Sequence, residues 1–109
     1  MIYEIEVSEQ ADSDLREIFE YIAFELQSPE NASGQLDRLE DQILSLDKMP
    51  ERYRKYEKEP WKSRGLRVLP VDNYLVLYIP DNDKKVVTIL RVMYAGRDID
   101  SQLNIHTRQ

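Results

Sequence analysis

The 109 residues include no cysteine, one histidine and three glycines. The first absence excludes disulfide frameworks, thiolate metal sites and cysteine nucleophiles together. The histidine, His106, lies in a polar C-terminal stretch, where it reads as a frayed terminal residue rather than a base or ligand. Metal-ligand spacing, a glycine-rich phosphate loop, a nucleophile elbow and paired catalytic carboxylates are all missing, so no metal or cofactor is expected. Long apolar runs are absent too: the longest, Tyr74 to Pro80, is far below a bilayer span. The opening MIYEIEVSEQAD puts acids where a signal peptide needs basic and apolar residues. A cytoplasmic protein without a membrane partner is expected.

What the chain has is charge, unevenly placed. Its formal net charge is -6, but residues 1–51 hold 14 acids against 3 bases, net -11, while residues 52–109 hold 7 acids against 12 bases, net +5. The 41% hydrophobic content and ten aromatic residues argue for a folded core rather than a disordered chain. At this length one domain suffices, burying roughly two thirds of the surface of its unfolded chain.

Hydrophobic periodicity divides the chain. Tyr3, Ile5 and Val7 alternate with Glu4 and Glu6, the period of a half-buried strand over residues 1–7. Ser8 is placed to cap a helix over 9–26, with Glu9, Asp12 and Asp14 near its positive end and Ala11, Leu15, Ile18, Ile22 and Leu26 on one stripe. Ser28 and Pro29 open a second helix over 29–47, whose stripe is Ala32, Leu36, Leu39, Ile43 and Leu46. So short a connection folds the pair back as an antiparallel hairpin. Residues 48–64 lose the periodicity and read as a long basic loop ending at Gly65. Residues 66–93 read as a three-stranded meander with turns at Asp72-Asn73 and Pro80 to Asp83, and 98–109 as a tail. The expected fold is α+β: an N-terminal strand and a helical hairpin packed on a four-stranded, mainly antiparallel sheet. Tyr74, Val76 and Tyr78 share one face of their strand and Leu75, Leu77 and Ile79 the other, so the face away from the helices needs a cover, such as a partner segment.

Two clusters are candidates for function. Between 52 and 67, Arg52, Arg54, Lys55, Lys58, Lys62, Arg64 and Arg67 outnumber Glu57 and Glu59 by seven to two, interleaved with Tyr53, Tyr56 and Trp61. Cations meet phosphates and flat rings stack on unpaired bases, so the composition suits RNA or single-stranded nucleic acid; a solvated loop balancing the acidic helices is the plainer alternative. The segment Arg91-Val92-Met93-Tyr94-Ala95-Gly96-Arg97-Asp98 gathers two arginines and a tyrosine. Such a set serves phosphodiester chemistry, arginine holding phosphate and tyrosine moving a proton. Alternatively Arg97 pairs locally with Asp98 and Arg91 with an acid from a helix.

The helical phrase Ala11, Asp14, Leu15, Ile18, Tyr21 and Ile22, the second helix through Leu39, Ile43, Leu46 and Pro50, then Gly65-Leu66-Arg67, Val71-Asp72-Asn73-Tyr74, Leu77-Tyr78, Ile89-Leu90-Arg91-Val92 and Gly96-Arg97-Asp98 occur in the order and spacing of a known family. In these residues the chain resembles the RelE/ParE superfamily of toxins from bacterial type II toxin-antitoxin modules, some described as plasmid stabilisation proteins. The resemblance implies a growth inhibitor neutralised by a cognate antitoxin. It also implies one of two targets: DNA gyrase in the ParE branch, or ribosome-bound mRNA cut by the endoribonucleases of the RelE branch. The nuclease branch tends to carry an arginine near position 75, where this chain has leucine, and one subgroup has histidine where Met93 stands; Tyr94 and Arg97 match residues of the family. The Gly-Leu-Arg and Arg-Asp phrases and long helices lean toward ParE. A nuclease would draw charge from Arg67, Arg91 and Arg97 and proton transfer from Tyr94. A binding surface for target or antitoxin would use Trp61, Lys62, Arg64, Arg67, Tyr74, Tyr78 and Arg97. A family member that has lost its toxicity is the third reading.

Overall fold

The computed structural model describes residues 2–96 and 98–106. Strand β1 (Glu4–Val7) leads into helix α1 (Glu9–Glu20), whose start is fixed by Ser8: its hydroxyl accepts from the Ala11 amide at 3.0 Å and donates to the Leu90 carbonyl at 2.9 Å. One side chain thus caps the helix and ties it to the sheet. Helix α1 does not run on regularly to residue 26. A π-helical turn, Tyr21–Glu25, follows it, with the Leu26 amide bonded back to the Tyr21 carbonyl, five residues away. The extra residue rotates the apolar stripe: Ile22 and Ala23 are buried, and Leu26, expected in the core, is 57% exposed.

Helix α2 (Pro29–Leu44) keeps the expected stripe, with Ala32, Leu39 and Ile43 buried and Leu46 in the 3-10 turn 45–47 behind them. Pro29 sits in its first turn, but the Ser28 side chain makes no capping bond. A second 3-10 turn, Pro50–Arg52, follows Met49, whose φ is +48°.

Strands β2 (Arg67–Val71), β3 (Tyr74–Asp81) and β4 (Val86–Tyr94) form the antiparallel meander, and β1 pairs parallel to β4, giving the order β1-β4-β3-β2. The second turn falls at 82–85, later than expected, because Pro80 and Asp81 still pair with Val87 and Val86. Pro80 is tolerated in an inner strand because β2 has already ended beside Tyr78, leaving that flank of β3 an open edge. The Asp81 carboxylate then accepts the Asp83 and Lys84 amides, both at 3.0 Å, and closes the turn.

The sheet has an apolar layer on each side. Helices α1 and α2 cover Tyr3, Leu69, Val71, Val76, Tyr78, Val87, Ile89 and Val92. The opposite face, expected to await a partner, is covered by the chain itself: Tyr56, Trp61 and Leu66 of the basic connection and Leu103 of helix α3 (Ile99–His106) pack on Val68, Leu75, Leu77, Leu90 and Met93. The stretch expected as a tail therefore carries a helix that builds the second layer. The outer edge of β2 is guarded as well. Residues 54 and 56 bond to Val68 and Leu66 at one end, and Pro70 offers no amide beyond them.

Candidate functional site

Arg91 occupies the edge of β4 just beyond the last rung shared with β1. Asp14, on the inner side of α1, reaches that edge and takes three donors: Arg91 Nε at 2.7 Å and the Val92 amide at 3.0 Å on Oδ2, and Arg91 Nη2 at 3.0 Å on Oδ1. Arg91 Nη1 donates to the Gln102 carbonyl of α3 at 3.0 Å. Both side chains are nearly sealed, 5% and 7% exposed. Of the two readings the sequence allows for Arg91, the ion pair is the one realised, so this arginine presents nothing to a phosphate. Asp14 itself is a residue the sequence marks only faintly. It is an acid three positions after Ala11 and four before Ile18, on the stripe rather than off it.

The remaining expected residues divide between interior and surface. Tyr78 is fully buried, its hydroxyl donating to the Pro50 carbonyl at 2.5 Å, and burial pushes its pKa up to about 12. Trp61 is 3% exposed and packs in the second layer. Neither is a surface contact, because each aromatic body is needed to fill a layer of the core. Arg67 is largely enclosed: Nη1 donates to the carbonyls of Glu51 at 3.0 Å and Tyr53 at 2.7 Å, and Nη2 lies 3.9 Å from the Glu51 carboxylate. It pins the basic connection to β2. Lys62 and Arg64 are exposed, Arg64 with its guanidinium 5.0 Å above the Trp61 ring. Arg54 and Lys55 are exposed as well, while Lys58 pairs with Asp100 at 2.8 Å. Arg97 lies outside the described residues.

At the other end of the sheet, Tyr74 and Tyr94 face each other across β3 and β4 with ring centroids 6.0 Å apart and planes at 76°. Partial burial, with Tyr21 and Tyr94 beside it, raises the pKa of Tyr74 above the usual phenol value. Tyr94 is 52% exposed, and its ring folds over Gly96 so closely that a Cβ there would stand 2.7 Å from Cε2. The missing side chain of Gly96 leaves the space that the ring occupies. Tyr21 adds a third phenol from the π turn.

Chemically, then, the three described residues a nuclease would draw on, Arg67, Arg91 and Tyr94, are not gathered. Arg91 is consumed by Asp14, Arg67 by backbone carbonyls, and Tyr94 stands with aromatic neighbours. Among the described residues no cluster of three or more His, Asp or Glu is placed to hold a metal ion, and no helix is long and apolar enough to cross a membrane.

A family model described as the ParE toxin of the type II toxin-antitoxin system parDE matches residues 5–99. No curated protein matches the sequence. Among solved structures, the chain is similar to a chromosomal ParDE system of P. aeruginosa, with a TM-score of 0.72 at 18% identity, covering 87% of this chain and 98% of that one. It is also similar to the RelBE2 toxin-antitoxin complex of Mycobacterium tuberculosis, with a TM-score of 0.65 at 21% identity over 88% and 95% of the two chains. The isolated RelE toxin of E. coli gives 0.54 at 17% identity over 94% and 95%. At these identities the likeness is one of fold.

Proposed function

The chain belongs to the ParE toxin family of type II toxin-antitoxin systems, and from that premise we propose that it is a ParE-like toxin that inhibits growth by binding DNA gyrase and is neutralised by a cognate antitoxin. The observation that carries this reading is the Asp14–Arg91 ion pair. Cleavage of RNA at a 2'-hydroxyl needs cations free to meet charge growing on the phosphate, and a buried arginine spent on a carboxylate and a carbonyl is not free. Leu75, standing where the nuclease branch tends to carry an arginine, is buried in the second layer. A toxin of this make-up acts by docking. The antitoxin reading draws support from the solved ParDE and RelBE assemblies of the same fold and from the exposed cations Arg54, Lys55, Lys62 and Arg64, which suit an acidic segment that folds on binding.

One observation favours the alternative, a ribosome-dependent mRNA endoribonuclease: Tyr94 is half exposed at the end of the sheet, three positions before Arg97. In that reading these two residues carry the chemistry without Arg91. A supercoiling assay run beside a translation assay separates the two. Inhibited supercoiling with intact mRNA is expected, whereas untouched gyrase activity at saturating folded protein, with new 5' ends on mRNA, would reverse the assignment. Absence of growth arrest on expression would leave the non-toxic family member as the answer.

A further inference from the structure

The tip of the helical hairpin is apolar where the fold gives no reason for it to be. Tyr21 is 55% exposed, Phe24 68% and Leu26 57%, and of the three Leu26 lies on the stripe expected to face the core. Within the π turn Ala23 is buried beside Ile22, while Tyr21 and Phe24 are exposed. A regular helix over the same residues would have buried Leu26. π turns are concentrated at functional sites because they cost backbone regularity. Tyr74 packs edge-on against the half-exposed Tyr94 at the end of the sheet.

We propose that this surface, Tyr21, Phe24 and Leu26, is a docking site for a cationic, amphipathic helical segment of a partner protein. Charge selects the occupant. Glu17, Glu20 and Glu25 flank the aromatic residues along the helix and are exposed, and the neighbouring cation Arg16 is taken by Asp12 at 3.1 Å. An acidic rim around aromatic faces repels nucleic acid and repels a second copy of itself. It attracts lysine or arginine flanking an apolar stripe, and the phenol and phenyl faces accept those cations directly. The site lies apart from the basic connection, so it would be occupied independently of an acidic segment bound there.

The test uses the full chain and a fluorescein-labelled 18-residue helical peptide of leucine and lysine with one apolar face, read by fluorescence anisotropy. Two controls are a leucine-glutamate peptide of the same pattern and a scrambled leucine-lysine peptide without an apolar face. Expected are binding of the first peptide at least tenfold tighter than either control, and at least fivefold weakening by Phe24→Ser and by Tyr21→Ser, which leave the charge of the protein unchanged. Leu44→Ser, at a residue 60% exposed elsewhere on the hairpin, should leave the affinity as it was. Circular dichroism confirms folding of each variant, and the two tip variants serve as independent readings. Equal binding of the scrambled peptide, less than fivefold weakening in a folded tip variant, or self-association of the wild-type chain lost in Phe24→Ser would each overturn the proposal.

Discussion

Asp14 and Arg91, 77 positions apart in the chain, meet in a two-point ion pair that joins the first helix to the edge of the last strand. Strand β1 stops pairing at Val7 opposite Ile89, so the Val92 amide has no strand partner on that side, and the same carboxylate takes it. Helix α3 is drawn in through the Gln102 carbonyl. The acid therefore substitutes for a missing rung, and the ion pair as a whole joins three elements.

Removing one half of such a pair strands a buried charge. Asp14→Ala is expected to cost about 3–5 kcal/mol, enough to lower the melting temperature by more than 10 °C in a domain of this size at roughly 4–8 °C per kcal/mol. The double change Asp14→Leu with Arg91→Met should recover most of that loss, because no unpaired charge remains. Urea denaturation of the three proteins checks both statements. A double variant as unstable as the single one would contradict them.

The π turn makes a contrast between two neighbouring apolar residues. Ile22→Ala removes buried volume and should cost roughly 2–5 kcal/mol, whereas Leu26→Ala, at a solvent-facing residue, should stay within about 0.5 kcal/mol of wild type. Equal losses in thermal melts would mean that the helix continues regularly to residue 26.

Among the basic residues the fold separates scaffold from surface. Arg67→Ala gives up charged hydrogen bonds to two carbonyls, about 1.5–3 kcal/mol, and should loosen residues 51–56 in hydrogen exchange. Lys62→Ala and Arg64→Ala, both exposed, should change stability by no more than about 0.5 kcal/mol. Charge reversal at 62 and 64 is thus the clean way to probe an acidic partner, and reversal at 67 is not.

Of the three described carboxylates whose pKa the fold lowers, Glu59, Asp72 and Asp100, the last two join separate elements. Hydrogen bonds from Lys58 and Tyr56 lower the pKa of Asp100, and hydrogen bonds from Arg38 and Gln35 lower that of Asp72, each below the ordinary value of 3.8. A group whose folded pKa is depressed contributes stability that is fully present above the unfolded value and is lost as pH falls through the folded one. Stability should therefore hold down to about pH 4 and decline below it, with α3 and the β2–β3 turn loosening. Asp100→Asn should melt below wild type at pH 7, and the gap should shrink as the pH is taken toward 3. A constant gap across that range would show that the carboxylate charge is not what holds α3.

The run of elements and the family are legible from residue order alone. Periods of two and of about 3.6 are local properties, readable from Tyr3-Ile5-Val7 and from the stripes of the two helices, and the phrases shared with the toxin superfamily sit on those elements in order. Tertiary structure decided which candidate residues are available. Arg91, Tyr78 and Trp61 have the right chemistry for contact with a target, but their exposure depends on Asp14, Pro50 and Leu103, each at least 28 positions away or in another layer. The cover over the second face was equally illegible, since a basic loop and a short polar helix bury their few apolar residues only once the sheet exists to receive them. Leu26 left the core for a still more local reason: one extra backbone residue in a turn shifts the following residues by about 100° around the helix, and residue types do not announce it.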